Sequence, residues 1–257
     1  MKLFLSVGLI FALAACGGGG GGGAVATSVG IASGPAGSPA TATPVAASPE
    51  GFWEGTASTG VLASLAILEN GETWGIYSSG GVIVGALYGN TTSNATALSG
   101  TGRDFNIPTR TVGAGSYSGT YASKGTINVA TSSGSTFSGK YDPVYEQPAS
   151  LATVSGSFTG SGVSGSSPVQ AVAVSISSLG VVSVPGTLGC SASGNATPRP
   201  SGKNIFDVTI TSVGSSCALG NGTVTKGIAY YEPATRRILV MAMNAAKSDG
   251  FVYIGQK

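Results

Sequence analysis

Gly51-Phe52-Trp53-Glu54-Gly55 decides the fold. At the two-residue period of a strand, Gly51, Trp53 and Gly55 share one face, so the indole lies over two positions without side chains. Glycines placed this way let a sheet coil tightly enough to close on itself. Gly156-Ser157-Phe158-Thr159-Gly160 repeats the arrangement. Gly115-Ser116-Tyr117-Ser118-Gly119 carries it as well, so the motif alone does not establish a duplication.

Working outward, short β-type runs follow at 61–68, 73–77, 82–88, 95–101, 116–122, 126–130 and 136–141, separated by Gly, Ser and Asn. Glu69-Asn70-Gly71-Glu72 reads as a hairpin turn of type I′. With the opening strand this makes eight strands up to Asp142, and no convincing helix. Residues 141–148, with two prolines, two tyrosines and two acids, break the pattern and read as a linker or ordered loop. A second series begins at Leu151. After the strand at Gly156 it continues through 171–176, a turn at Leu179-Gly180, 181–184, 205–213, 223–231, 238–243 and 251–254, seven strands in all. Residues 195–202 read as a Pro-rich loop within it.

Many short strands punctuated by turn residues specify an all-β protein. The reading is two tandem antiparallel barrel-like units, 51–142 and 151–257, joined by a linker at 143–150; one larger β-sandwich is the alternative.

Toward the N-terminus the composition changes. Met1-Lys2 gives a short positive region, Leu3 to Phe11 an apolar run and Ala14-Ala15 a small-residue cleavage site, so 1–15 reads as a signal peptide. The run is well short of the ~20 apolar residues that cross a bilayer. Gly17 to Gly23 and the Ala/Thr/Ser/Pro-rich stretch after it cannot bury a core, so 16–50 reads as a disordered tether.

Leu13-Ala14-Ala15-Cys16 resembles the lipobox of bacterial lipoproteins. The resemblance implies cleavage before Cys16, a diacylglycerol thioether on its sulfur and an acylated amino group. Gly17 rather than Asp after the cysteine implies an outer-membrane lipid anchor, facing periplasm or exterior. The Gly-x-Trp/Phe-x-Gly openings resemble the first strand of lipocalin and avidin-type barrels. A tandem-barrel lipoprotein is also similar to the ligand-binding surface lipoproteins of Gram-negative bacteria.

Once Cys16 is assigned to lipid, Cys190 and Cys217 remain as an even pair and are expected to form a structural disulfide. The formal charge of +2 and the 9% charged residues exclude a basic nucleic-acid surface. Histidine is absent, which removes Ser-His-Asp and Cys-His catalysis and histidine metal sites. No metal or other cofactor is expected. Asp142 and Glu146 are the one acidic pair placed to line a cleft, and Lys140 and Lys226 are cations able to meet an anionic partner. These four are the candidate partner contacts. Trp53, Trp74, Tyr77 and Tyr88 read as core, with a carbohydrate or hydrophobic-ligand site as the second meaning. The expected function is a non-catalytic, membrane-anchored binding module for a protein or carbohydrate partner. The alternative is a lipocalin-like carrier of a small hydrophobic ligand, and a cell-envelope enzyme such as a glycosidase comes third. A solid barrel core argues against the carrier; an open apolar lumen argues for it.

Overall fold

A computed structural model describes residues 48–164, 167–187 and 189–257. The expected signal peptide (1–15), Cys16 and the expected tether up to residue 47 lie outside the described residues. Two closed antiparallel barrels of eight strands each follow one another along the chain, and the sandwich alternative falls away. The first comprises β1 (Gly51–Ala57), β2 (Leu62–Ile67), β3 (Glu72–Ser79), β4 (Val82–Asn94), β5 (Ala97–Asn106), β6 (Thr111–Tyr121), β7 (Thr126–Thr131) and β8 (Thr136–Asp142). The second comprises β9 (Gly156–Ser164), β10 (Gln170–Ile176), β11 (Val181–Thr187), β12 (Cys190–Pro198), β13 (Phe206–Val213), β14 (Val224–Glu232), β15 (Arg237–Met243) and β16 (Gly250–Gln256). Each strand pairs with its successor, and β8 on β1 and β16 on β9 complete the rings.

Two local expectations are corrected, and the joining segment takes the ordered form of the two that were open. The second barrel has eight strands rather than seven, because β12 occupies part of the expected 195–202 loop. Its small, mostly polar residues show no hydrophobic alternation, yet they pair with both β11 and β13. The linker is ordered as a one-turn 3₁₀ helix (Pro143–Glu146), and a one-turn α1 (Leu151–Val154) precedes β9. Asp142 starts the 3₁₀ turn by accepting a 2.9 Å hydrogen bond from the Val144 N–H. Finally, the Asn70-Gly71 hairpin is not type I′. That turn needs positive φ at both residues, and only Gly71 has it, at +82°.

The same turn recurs. At Ala57, Leu68, Thr131 and Ser177 the N–H bonds to the carbonyl four residues on, and the glycine at the fourth position bonds back to the first. Those glycines, Gly60, Gly71, Gly134 and Gly180, have φ of +83°, +82°, +89° and +81°. This is a type I turn followed by a left-handed residue, which suits the twist of a tight hairpin.

Both barrels close in the same way. Gly55 of β1 faces Gly139 of β8, and Gly160 of β9 faces Gly255 of β16. A Cβ on Gly55 would run into the Ser138 carbonyl and the Gly139 Cα, and one on Gly160 into the Ile254 carbonyl and the Gly255 Cα. The motif's aromatic residues are completely buried, Trp53 in the first barrel and Phe158 in the second. The Trp53 indole N–H donates to the Pro49 carbonyl at 2.9 Å.

The two barrels share a core and belong to one compact unit, Val45–Lys257. Alternation in β14 and β15 shows how. Ile228, Tyr230, Leu239, Met241 and Met243 pack against the first barrel, while Ala229, Tyr231, Ile238 and Ala242 point into the second. Both faces are covered, so 228–231 and 238–243 read as continuous apolar runs instead of alternating ones. Phe52 anchors the joint, its ring 4.1 Å from Tyr230 and 4.9 Å edge-to-face from Tyr145. Trp74, Ile76 and Ala86 complete the first barrel's side. Ion pairs rim it: Arg199 bridges Glu69 at 2.8 Å and Asp207 at 2.6 Å, and Lys203 meets Glu146 at 2.7 Å.

Gly160→Val should destabilise the protein by at least about 2 kcal/mol, because backbone rather than a movable side chain must yield. Gly113→Ala, where a Cβ meets nothing within 4 Å, should stay within about 0.5 kcal/mol of wild type. Denaturant unfolding of both variants checks this.

Candidate functional site

The two barrels differ in what fills them. Inside the first, Trp53, Leu65, Ile67, Leu98, Tyr121, Ile127 and Phe137 are buried together, with Tyr77, Leu87 and Tyr117 above them. Large side chains meet across its axis and leave a solid interior. The inward positions of the second carry smaller residues: Val172 and Val174 on β10, Val182 and Val184 on β11, Ala192 and Ala196 on β12, Ala229 on β14 and Val240 on β15. They do not reach across, and a cavity of about 360 Å³ remains.

That lumen is closed at one end. Phe158, Phe206 and Tyr231 fill the base, with Phe158 and Tyr231 edge-to-face at 6.2 Å, and Val154 of α1 packs beneath them. Above this floor the wall is aliphatic up to the level of Ser164, Ser191 and Ser212. The rim includes Ser167, Gln170 and the segment Ser216–Leu219. Cys190 and Cys217 lie in this rim and form the expected disulfide, with Cα atoms 4.8 Å apart. It ties the start of β12 to the loop between β13 and β14. Closing a loop of this length stabilises by about 3.5 kcal/mol on the chain-entropy account. Val172, Val174, Val240 and Phe251 are only partly buried although they face inward, so solvent reaches the apolar wall.

Of the aromatic residues expected as core, Trp53 and Trp74 are fully buried and Tyr77 and Tyr88 partly so, and the larger cavity lies in the second barrel. Trp53 is inside the solid barrel, while Trp74 and Tyr88 pack at the inter-barrel joint, edge-to-face at 4.7 Å. The signal for the hollow barrel is the size of inward residues, Val and Ala where the first barrel has Trp, Tyr, Leu and Phe.

The four candidate contact residues do not form one cluster. Asp142 caps the 3₁₀ turn. Glu146 accepts from Lys203 at 2.7 Å, from Lys124 at 2.9 Å and from the Tyr141 hydroxyl, which together hold its carboxyl down at about 2. Lys140 is exposed on β8 next to Glu54 of β1, and Lys226 is exposed on β14 opposite Thr209 and Met243. Among the described residues no group of three or more Cys, Asp or Glu could hold a metal ion.

Glu54 is the acid with the most altered environment. Burial at the inter-barrel joint pushes its carboxyl up to about 7, against a 2.8 Å hydrogen bond from Ser64 that favours the charged form. Glu232 and Asp142 push the same way as burial, and Arg237 opposes them. Arg237 is itself engaged by Glu232 at 2.8 Å.

Comparison of the chain with protein-family models, curated proteins and solved structures found no match. The fold and lumen therefore define only a class: a tandem of closed eight-stranded barrels, one solid and one hollow.

The raised Glu54 carboxyl binds its proton more tightly in the folded than in the unfolded state. Its contribution to stability is therefore complete below about pH 4.5 and lost as pH rises through about 7. Up to about 3 kcal/mol is at stake. Glu146, held near 2, does not titrate in this window. Glu54→Gln should flatten the fall in unfolding free energy between pH 4.5 and 8, and at pH 8 the variant should be the more stable protein. Urea titrations across that range check it.

Proposed function

We propose that the chain is a non-catalytic binding protein of the bacterial envelope whose second barrel carries a small hydrophobic molecule. The observation that carries this reading is the aliphatic lumen of about 360 Å³, closed at its base and open at its disulfide rim. Ligand sites are typically concave, mostly apolar spaces of ~300–1,000 Å³. An eight-stranded barrel is just wide enough to hold one small ligand when its interior is not filled by side chains. Leaving the wall of Val172, Val174, Val240 and Phe251 open to water costs hydrophobic burial, and a bound apolar molecule recovers it.

The solid first barrel serves in this reading as a platform, fixed to the outside of β14 and β15 and so holding the wall of the hollow one in shape. Anchoring through Cys16 in the outer membrane, by the lipobox resemblance, keeps the carrier beside a source of hydrophobic molecules. Two or more acyl chains give stable attachment where one is marginal. A palmitate analogue fed to cells should label the wild type and not Cys16→Ala.

The carrier reading is tested with N-phenyl-1-naphthylamine, whose emission rises in apolar surroundings. Wild type should take it up with saturable enhancement. Val174→Trp and Val184→Phe, which fill the lumen from adjacent strands, should each weaken uptake at least tenfold while keeping a cooperative melt. Absence of saturable uptake by wild type, or undiminished uptake by both folded variants, contradicts it.

A further inference from the structure

We infer that the lumen of the second barrel selects uncharged amphiphiles: a slender aliphatic chain carrying a hydroxyl, ester or amide head that sits among the rim serines, with Ser212 as a hydrogen-bonding partner. This rests on the carrier reading and adds the ligand's class to it.

The first ground is charge. Among the described residues, no Asp, Glu, Lys or Arg lines the lumen or its rim. Cys190 and Cys217 are joined as a disulfide and do not ionise, and burial pushes the Tyr253 phenol up to about 12. An ionised head drawn into this space meets no counter-charge and loses its water, which costs several kcal/mol for an unpaired charge. A neutral head needs only hydrogen bonds.

The second ground is where the polar groups sit. Ser164, Ser167, Gln170, Ser191, Ser212 and Ser216 all lie toward the open end, and the wall between them and the aromatic floor is formed by aliphatic residues such as Ile176, Val208 and Ile238. Some of these groups are already engaged: Ser167 donates to the Ser164 carbonyl, and Ser191 to the Val213 carbonyl at 3.3 Å. Ser212 differs. It is only 8% exposed as a residue and follows Val208 and Ile210 on the inner face of β13, and its hydroxyl, which bonds to no described residue, is not sealed off but opens onto the lumen. A ligand head at the top of the aliphatic section meets this accessible hydroxyl and can hydrogen-bond to it.

Size sets the chain. The lumen has room for on the order of ten methylene-sized groups, each near the ~30 Å³ share of a water molecule in the liquid.

Calorimetric titration of the purified protein at pH 8 with 1-decanol, decanoate and decylammonium tests the inference, since the three differ only at the head. The alcohol should bind at least tenfold more tightly than either ion. Ser212→Ala, a change too small to disturb the barrel, should weaken 1-decanol about two- to tenfold, the range of one neutral hydrogen bond, with an unchanged melting temperature. Equal or tighter binding of decanoate or decylammonium overturns the selection for neutral heads while leaving the carrier reading intact. Unaltered 1-decanol affinity in Ser212→Ala overturns the role of Ser212. Failure of all three probes, together with failure of naphthylamine uptake, removes the carrier reading itself.

Discussion

The approach of backbone to backbone at Gly55 and Gly139, and again at Gly160 and Gly255, is the constraint on which both barrels rest. A ring of eight strands removes the exposed edges that an open sheet would present, but only if its last strand can lie tightly against its first. In each barrel the opening strand supplies an aromatic side chain to the interior and a glycine two residues later to the closing contact. Trp53 and Phe158 are thus fixed by the same geometry that completes the ring. The repeated type I hairpins ending at Gly60, Gly71, Gly134 and Gly180 do the rest, turning the chain back within a few residues.

Closure determines what each strand can bury, and the inter-barrel joint determines the rest. An isolated barrel has an inner apolar face and an outer polar one. Here β14 and β15 are apolar on both, because Phe52, Trp74, Ile76 and Tyr145 cover the outside of the second barrel. The joint fixes the wall of the hollow barrel from behind. That support matters because the lumen side gives the wall little to pack against. The cost is one half-buried carboxyl, Glu54, and two buried polar atoms, the Trp74 indole nitrogen and the Tyr230 hydroxyl, with no hydrogen-bond partner among the described residues.

Much of this is legible in the residues themselves. Alternation in 206–213, the Gly-x-aromatic-x-Gly openings and the spacing of turn glycines suffice for an all-β chain in two units, and the leftover cysteine pair suffices for Cys190–Cys217. β12 is hidden because exposed Ser193 and Asn195 alternate with Ala192, Gly194 and Ala196 on the inner side, so neither face has a strong hydrophobic signature. The joint is hidden because a continuous apolar run such as 238–243 does not say which neighbour covers its second face. The site is hidden for a different reason. Whether a barrel is hollow depends on the sum of many inward volumes, and Val or Ala is unremarkable at any one position. Asp142 and Glu146 drew notice as chemistry, yet a cap and a set of ion pairs account for their surroundings.

The central claim is that one fold, used twice, is solid in the first copy and hollow in the second. A crystal structure of the protein grown with 1-decanol tests it most directly. The account predicts continuous density for the chain between Val174, Val184, Ile210, Val240 and Phe251, its oxygen near Ser212, and none inside the first barrel. Collapse of those side chains across the axis of the second barrel, leaving no space for a ligand, would contradict it.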